Sequence, residues 1–553
     1  MKEKKTKLQT LLSAVTAACC MIALLPALVA TAANDVYVNG EVLSGGLSNA
    51  YVRGAGDAVQ LGTDRVYVRT GSGLVQIGGS ASVPEGDPEH LEVTGTLNLQ
   101  YGKVRVGLEY NPGLDYANLE NYVGSGYLLG YYDSSRIFHT LASTTETEIT
   151  MVPDVNTVTK GGNVGCFHVR LPGSYSSYEA AQSAAGAYSD GFVGWYNGSY
   201  YALYGNFETR EAAQAAASGG GEAFTASNRC VVVTRTSDAK ILFEFDGGES
   251  MSLAVSPGGG AADAETWFKG HTYRGGFEYS RHEGASKLTV VNVVDIEDYV
   301  KGVLPYEMSS NWPPEALKAQ AVCARTYVAS HFNGYRSAYG FDVTDDTYSQ
   351  VYNGTSTATA ETNSAADATA GLYITYQGRP IDAMYYSSNG GASESSENVM
   401  YSAVAYLRGK TDPYEQAAAG INSLSSWTRT LSASAVTSAV NASGYSLGTV
   451  TDISTELSDS GNVIGITFTD ASGRSATFSK SACYNFVTGS LGLYSIHFDV
   501  AAASGGFTFS GGGWGHSVGM SQYGAYAMAD SYGFTFDQII NFYYTGVELS
   551  RGA

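Results

Sequence analysis

The chain has 553 residues, enough for about three domains of roughly 100–200 residues each. Its net charge of −21 argues against a nucleic-acid partner, which needs clustered Lys and Arg. Charged residues are only 15% against a usual ~25%, while Gly (67) and Tyr (41) are abundant; this composition suits β-rich surfaces that meet sugars through flat tyrosine faces and hydroxyls rather than through charge.

Residues 1–33 read as an export signal. Lys2, Lys4, Lys5 and Lys7 make a positive start, Leu11 to Val29 is mostly apolar, and Ala30-Thr31-Ala32 is an A-x-A cleavage site. An uncleaved membrane anchor is the alternative, because the apolar run approaches the length of a span. The chain is therefore expected to be secreted or cell-wall associated. Residues 34–95 are Gly/Ser/Val-rich with short apolar runs such as Val36-Tyr37-Val38, and predict weak β structure or partial disorder. Four cysteines follow the signal, Cys166, Cys230, Cys323 and Cys483, with no CxxC or Cys/His cluster. Buried free thiols are expected, and a Cys166–Cys230 pair stays open.

Order resumes over 96–152, a small β-rich segment. Val104, Val106 and Leu108 alternate as a half-buried strand does, and Gly124-Ser125-Gly126-Tyr127 predicts a hairpin. Residues 160–247 show two similar halves. The strand Phe167-His168-Val169-Arg170 leads to an Ala-rich helix opening at Ser176. A hairpin across Asn197-Gly198 leads to a second such helix opening near Asn206, with further strands at Val231–Thr234 and Ile241–Phe245. The β-α-β-β-α-β order predicts a small ferredoxin-like sheet with helices on one face. The paired halves and the Gly-Trp-Tyr…Tyr-Gly-Asn-Phe hairpin resemble SPOR domains, and that resemblance implies binding to peptidoglycan glycan strands.

Residues 267–550 carry the densest signals. The apolar strand Leu288–Val294 runs into Asp295-Ile296-Glu297-Asp298-Tyr299 and then Pro305-Tyr306-Glu307-Met308. Pro314, in a first turn, opens a helix to about His331, with Leu317, Ala321, Ala324 and Val328 on one face. Further on stand Thr347-Tyr348-Ser349-Gln350-Val351-Tyr352, Ser388-Asn389-Gly390-Gly391 and the run Gly513-Trp514-Gly515-His516-Ser517-Val518-Gly519-Met520-Ser521-Gln522-Tyr523-Gly524-Ala525. Gly513, Gly515 and Gly519 suggest close approach or positive φ.

These ordered motifs resemble the SpoIID/LytB family (stage II sporulation protein D and amidase enhancers). The resemblance implies an α+β fold: a β-rich SpoIID-type C-terminal domain with packed helices, preceded by the small SPOR-type domain. It also implies lytic transglycosylase activity on glycan strands, peptide-stripped ones in sporulation members, with Glu307 as the catalytic acid. The chemistry suits one carboxylate. Ordinary glycoside hydrolysis uses two, whereas attack by the muramic acid's own 6-hydroxyl lets one residue act first as acid and then as base. Met308, Trp312 and Tyr306 would raise the pKa of Glu307 toward the working range of an acid. Candidate substrate-binding residues are Arg325, which either reaches the cleft or pairs with a carboxylate, Ser349, Gln350, Tyr352, His516, Ser521 and Gln522.

Where some family members place zinc ligands, Tyr385-Tyr386-Ser387-Ser388-Asn389-Gly390-Gly391 lacks His and Cys, and no paired His spacing occurs elsewhere; no metal and no cofactor are expected. A rival reading is a non-catalytic glycan-binding scaffold whose partner is a cell-wall amidase or another wall hydrolase.

Overall fold

The computed structural model describes residues 87–552 apart from 260–262 and 283–284, together with the backbone of short strands between residues 36 and 78. The export signal expected at 1–33 lies outside the described residues. The chain forms two units, 1–87 and 88–553. The first contains three antiparallel strand pairs, Val36–Val38 with Glu41–Leu43, Tyr51–Arg53 with Ala58–Gln60, and Val66–Thr70 with Gly73–Gly78.

The second unit is mixed α+β and rich in strands, as expected. Two large sheets face each other. The seven-stranded sheet runs Phe138–Thr144, Tyr127–Tyr132, Leu253–Pro257, Gly276–Ser280, Leu288–Asp295, Lys103–Leu114 and Val343–Thr344. The ten-stranded sheet begins at Glu222–Phe224 and continues through Phe167–Arg170, Ser199–Phe207, Gly191–Tyr196, Ile241–Asp246 and Val231–Arg235. It then passes Glu148–Pro153 and Ala117–Val123 to end at Glu265–Phe268 and His271–Tyr273. Alternation sends Val104 and Val106 of the first sheet, and Ile149, Met151, Val231, Val233, Phe243 and Phe245 of the second, into one shared core. Each such side chain contributes about 1.5–3 kcal/mol when fully buried.

The Gly124–Tyr127 segment is not a hairpin. Ala117–Val123 pairs with Glu148–Pro153, while Tyr127–Tyr132 pairs with Phe138–Thr144, so the glycines carry the chain from one sheet to the other. The strands of 96–152 thus belong to both sheets.

Within 160–247 the β-α-β-β-α-β order appears with helices α1 (Tyr178–Ala185) and α2 (Arg210–Ala216), each opened by a hydroxyl cap, Ser177 and Thr209. Its strands lie in the spatial order fourth, first, third, second, and the turn at Asn197-Gly198 takes the positive φ that such hairpins need. The fourth strand is Glu222–Phe224, earlier than the Val231–Thr234 run. The expected small sheet is instead one end of the ten-stranded sheet, because Ile241–Asp246 adds to Gly191–Tyr196 in parallel.

Helices α3 (Ile296–Glu307) and α4 (Pro314–Ser330) join this sandwich to the rest of the unit. Ile296, Tyr299 and Val303 of α3 enter the sandwich core, and Val300 and Leu304 enter a second core of residues from about 300 to 549. Helix α4 does the same with Ala324 and Val328 on one side and Ala316, Leu317 and Ala321 on the other. It is therefore buried around most of its girth, including Gln320 and Arg325, and not on the single face that its spacing suggested. Residues 427–511 add two three-stranded sheets beside this second core. Among the described residues no helix is long and apolar enough to cross a membrane.

Candidate active site around Glu307

Asp295 caps α3 by accepting a bond from Glu297 N–H at 3.0 Å, and Glu297 and Asp298 suit the positive end of the helix dipole. The helix ends at Glu307. Gly302 lets it press on the 352–354 segment, since a Cβ there would stand 2.5 Å from Tyr352 Cε2. Glu307 is half-buried, flanked by the buried Met308 and the half-buried Tyr306.

Gln522 Nε2 donates to its carboxylate at 3.1 Å, and the Tyr385 hydroxyl and the Val351 backbone face it and favour its charged form. The hydroxyl belongs to a directed relay. Tyr299 donates to Gln350 Oε1 at 3.0 Å, and Gln350 Nε2 donates to the Tyr385 hydroxyl at 2.9 Å. The proton is thus held ready on the oxygen that faces Glu307. Burial raises the pKa of Glu307 above the ordinary carboxylate range, and the Tyr385, Gln522 and Val351 bonds hold it back, leaving a net upward shift. Its place at a helix C-terminus also disfavours the anion.

The terminal motif brings Gln522 to the carboxylate. Tyr385–Tyr386 pairs in parallel with Met520–Ser521, and α5 (Gln522–Tyr532) begins directly after it. Gly513, Gly515 and Gly519 all have positive φ, as expected. At Gly519 a Cβ would lie 2.0 Å from Met384 O, so only glycine admits the pairing.

His516 accepts from Val518 N–H through Nδ1 at 3.1 Å, leaving Nε2 to donate to Tyr385 O at 3.0 Å. It is the neutral imidazole, its pKa pushed down to about 4 by burial. Trp312 packs on Tyr523 and Tyr526 at centroid distances of 5.0 and 5.2 Å. Tyr348 is 81% exposed and Trp514 is 55% exposed, each on one of the two motif loops.

The candidate residues thus divide. Gln522 touches Glu307, while Gln350 and His516 act through Tyr385. Arg325, Tyr352 and Ser521 are corrected to structural roles. Arg325 is completely buried and grips Glu297 with two bonds of 2.9 and 2.6 Å, the carboxylate pairing that its position left open. Tyr352, 1% exposed, donates to Asn292 Oδ1 at 2.7 Å. Ser521 donates to Glu415 and caps α5 through Gly524 N–H at 3.2 Å. Ser349 accepts from Thr344 N–H at 3.1 Å and stabilises its own loop.

Sequence reading did not assign Tyr385 or Glu415 a role. Glu415 is buried and accepts from Ser388 Oγ at 2.5 Å, from Asn389 N–H at 2.9 and 3.0 Å and from Gly390 N–H at 3.0 Å, so it anchors the Ser-Asn-Gly-Gly loop. Burial raises its pKa, and neighbouring Asp412 adds to the rise.

The stage II sporulation protein (SpoIID) family model matches residues 284–376, which include Glu307 and Gln350. The chain is 31% identical over 275 residues to stage II sporulation protein D of Bacillus subtilis (strain 168), covering 47% of this chain and 76% of that protein. The chain belongs to the SpoIID family. The chain is also 36% identical over 265 residues to an uncharacterized protein of Brachyspira hyodysenteriae (47% of this chain, 68% of that one). The amidase enhancer of Bacillus subtilis is 34% identical over 300 residues, or 45% of this chain and 40% of the enhancer. The SpoIID match spans helices α3 and α4 and the Gln350 loop.

Proposed function

We propose that this SpoIID-family chain works on the bacterial cell wall in sporulation, as a lytic transglycosylase that cleaves peptidoglycan glycan strands with Glu307 as general acid and then base. The observation that carries this reading is the half-buried Glu307 carboxyl, shifted upward by burial and met by Gln522, Tyr385 and the Val351 backbone. No second carboxylate is among these three partners. That environment favours a proton-holding acid. Glu307 gives its proton to the bridging oxygen as the bond from the anomeric carbon breaks. The muramic 6-hydroxyl then bonds to that carbon and returns its proton to Glu307, so the carboxyl is regenerated and the product is a 1,6-anhydro sugar. Exposed Tyr348 and Trp514 offer sugar-stacking faces beside the site. In this reading the SPOR-like module at 160–247 supplies a second glycan contact, and the chain is exported through residues 1–33.

The test is mass spectrometry of muropeptides released from purified sacculi, intact and amidase-treated. Anhydro-muramoyl products are expected with the natural chain and absent with Glu307→Gln; their absence with the natural chain on both substrates would overturn the proposal. The second reading, a scaffold that stimulates a wall amidase, is favoured by the likeness to the Bacillus subtilis amidase enhancer. It expects glycan binding and faster amidase release with no anhydro product.

A further inference from the structure

Three ionisable side chains meet inside the ten-stranded sheet, remote in sequence from Glu307. Asp154 follows the strand Glu148–Pro153, His168 lies on Phe167–Arg170, and Glu244 lies on Ile241–Asp246. Their side chains are 1%, 0% and 0% exposed. His168 Nε2 stands 3.9 Å from Asp154 Oδ1 and 3.8 Å from Glu244 Oε2. Both distances are too long for hydrogen bonds. Both carboxylate oxygens of Asp154, and Nε2 of His168, have no hydrogen-bond partner despite complete burial. Orphaned buried acceptors of this kind are costly and call for an occupant.

The sheet brings them together by curling. His168 and Glu244 sit three strands apart along the ladder, which in a flat sheet would separate them by about 14 Å. Val152, Val164, Phe192, Leu203, Val232 and Ile241 fill the inside of the curl, and the cluster is set against them, with the Phe192 ring edge-on to His168 at 5.1 Å.

The outer contacts already have the form of support for a metal site. His168 Nδ1 donates to Gly205 O at 2.8 Å, which turns Nε2 toward the two carboxylates. The Tyr196 hydroxyl donates to Glu244 Oε2 at 2.7 Å, and the Cys230 thiol donates to Glu244 Oε1 at 3.3 Å. Two ligands bound tetrahedrally to Zn²⁺ lie roughly 3.4 Å apart. The 3.8 and 3.9 Å separations here close to that with shifts of about half an ångström.

We infer that Asp154, His168 and Glu244 bind one divalent transition-metal ion, of the Zn²⁺ or Mn²⁺ class, which pins the curled end of the ten-stranded sheet. The sequence gives no hint of it. The ligands stand at 154, 168 and 244, and no spacing links them until the sheet curls.

The test uses the full chain, purified without a histidine tag. It is loaded with Zn²⁺ or Mn²⁺, dialysed at neutral pH and measured by elemental analysis and thermal melting. The expected result is one ion per chain, a Tm that falls by several degrees with a chelator, and recovery on adding the metal back. Asp154→Asn combined with His168→Gln should lose the ion and the chelator response, while Cys230→Ser should keep both. A folded natural chain that holds no ion above background after loading with either metal, and whose Tm ignores metal and chelator, overturns the assignment. This measurement needs no variant to fold, and loss of the ion in Cys230→Ser would overturn the three-residue ligand set.

Discussion

Gln522 Nε2 lies 3.1 Å from Glu307 Oε2, while the residue before it, Ser521, bonds Glu415. Two adjacent residues at the start of one helix therefore grip two carboxyls, one at the end of α3 and one beneath the Ser-Asn-Gly-Gly loop. The pairing of Tyr385–Tyr386 with Met520–Ser521 fixes that helix start, and with it the backbone from which the Gln522 side chain reaches Glu307.

Glu307→Gln should abolish cleavage and leave the protein at least as stable at neutral pH. The folded pKa of Glu307 is raised, so the folded state holds the proton more tightly than the unfolded chain does. Below the unfolded value near 4.3 the group is neutral in both states and costs nothing. As pH rises through the folded value, ionisation in a desolvated site opposes folding. The variant removes that opposition, so its Tm should match the natural chain in acid and equal or exceed it at pH 7–8. A large loss of Tm would show that Glu307 is a structural anchor.

Gln522→Leu and Tyr385→Phe each remove a donor that lowers the pKa of Glu307. The alkaline limb of the rate profile should therefore move to higher pH in both variants. Rates at the optimum should fall roughly 10–100-fold, below the 10²–10⁴ typical of losing the acid itself. A pH–rate series on soluble glycan strands checks this; an unmoved limb would separate these residues from the acid.

Several features were legible because local rules dictated them. Pro314 marks the start of α4, Asn197-Gly198 gives its hairpin, and the three positive-φ glycines hold the terminal motif. What stayed hidden depends on tertiary placement. Helix α3 carries Gly302 and Pro305, which weaken any propensity reading, yet its cap and first-turn acids are present and two cores hold it. Arg325 and Gln320 look like the polar face of an amphipathic helix, but α4 is central and buries them. Glu415 is one acid among many until the loop of Ser388 and Asn389 folds over it.

Arg325→Met is expected to lower stability by roughly 3 kcal/mol, the scale for breaking a buried ion pair from one side. Glu297 also accepts from Gly371 N–H at 3.0 Å, so the loss should reach the strand Leu372–Tyr376. Arg325→Lys should recover little, because an ammonium does not reproduce the two-bond fork. The checks are chemical denaturation and glycan affinity of the folded fraction. Unchanged stability with weakened glycan binding would restore Arg325 to the substrate cleft.

His516 gives the chain a specific acid sensitivity. Its folded pKa of about 4 lies below the ordinary value of 6.5, so the neutral ring stabilises the fold fully above about pH 6.5. That contribution is lost as pH falls toward 4, because protonation there would place a second proton on Nδ1 and break its bond from Val518 N–H. At about 1.4 kcal/mol per unit the loss is on the order of 3 kcal/mol. His516→Gln should flatten the fall in Tm between pH 6.5 and 4. Tyr385 would also lose its fixed carbonyl, so the rate should drop in that variant even where the fold is intact. A variant with the natural acid slope would place the sensitivity in another group.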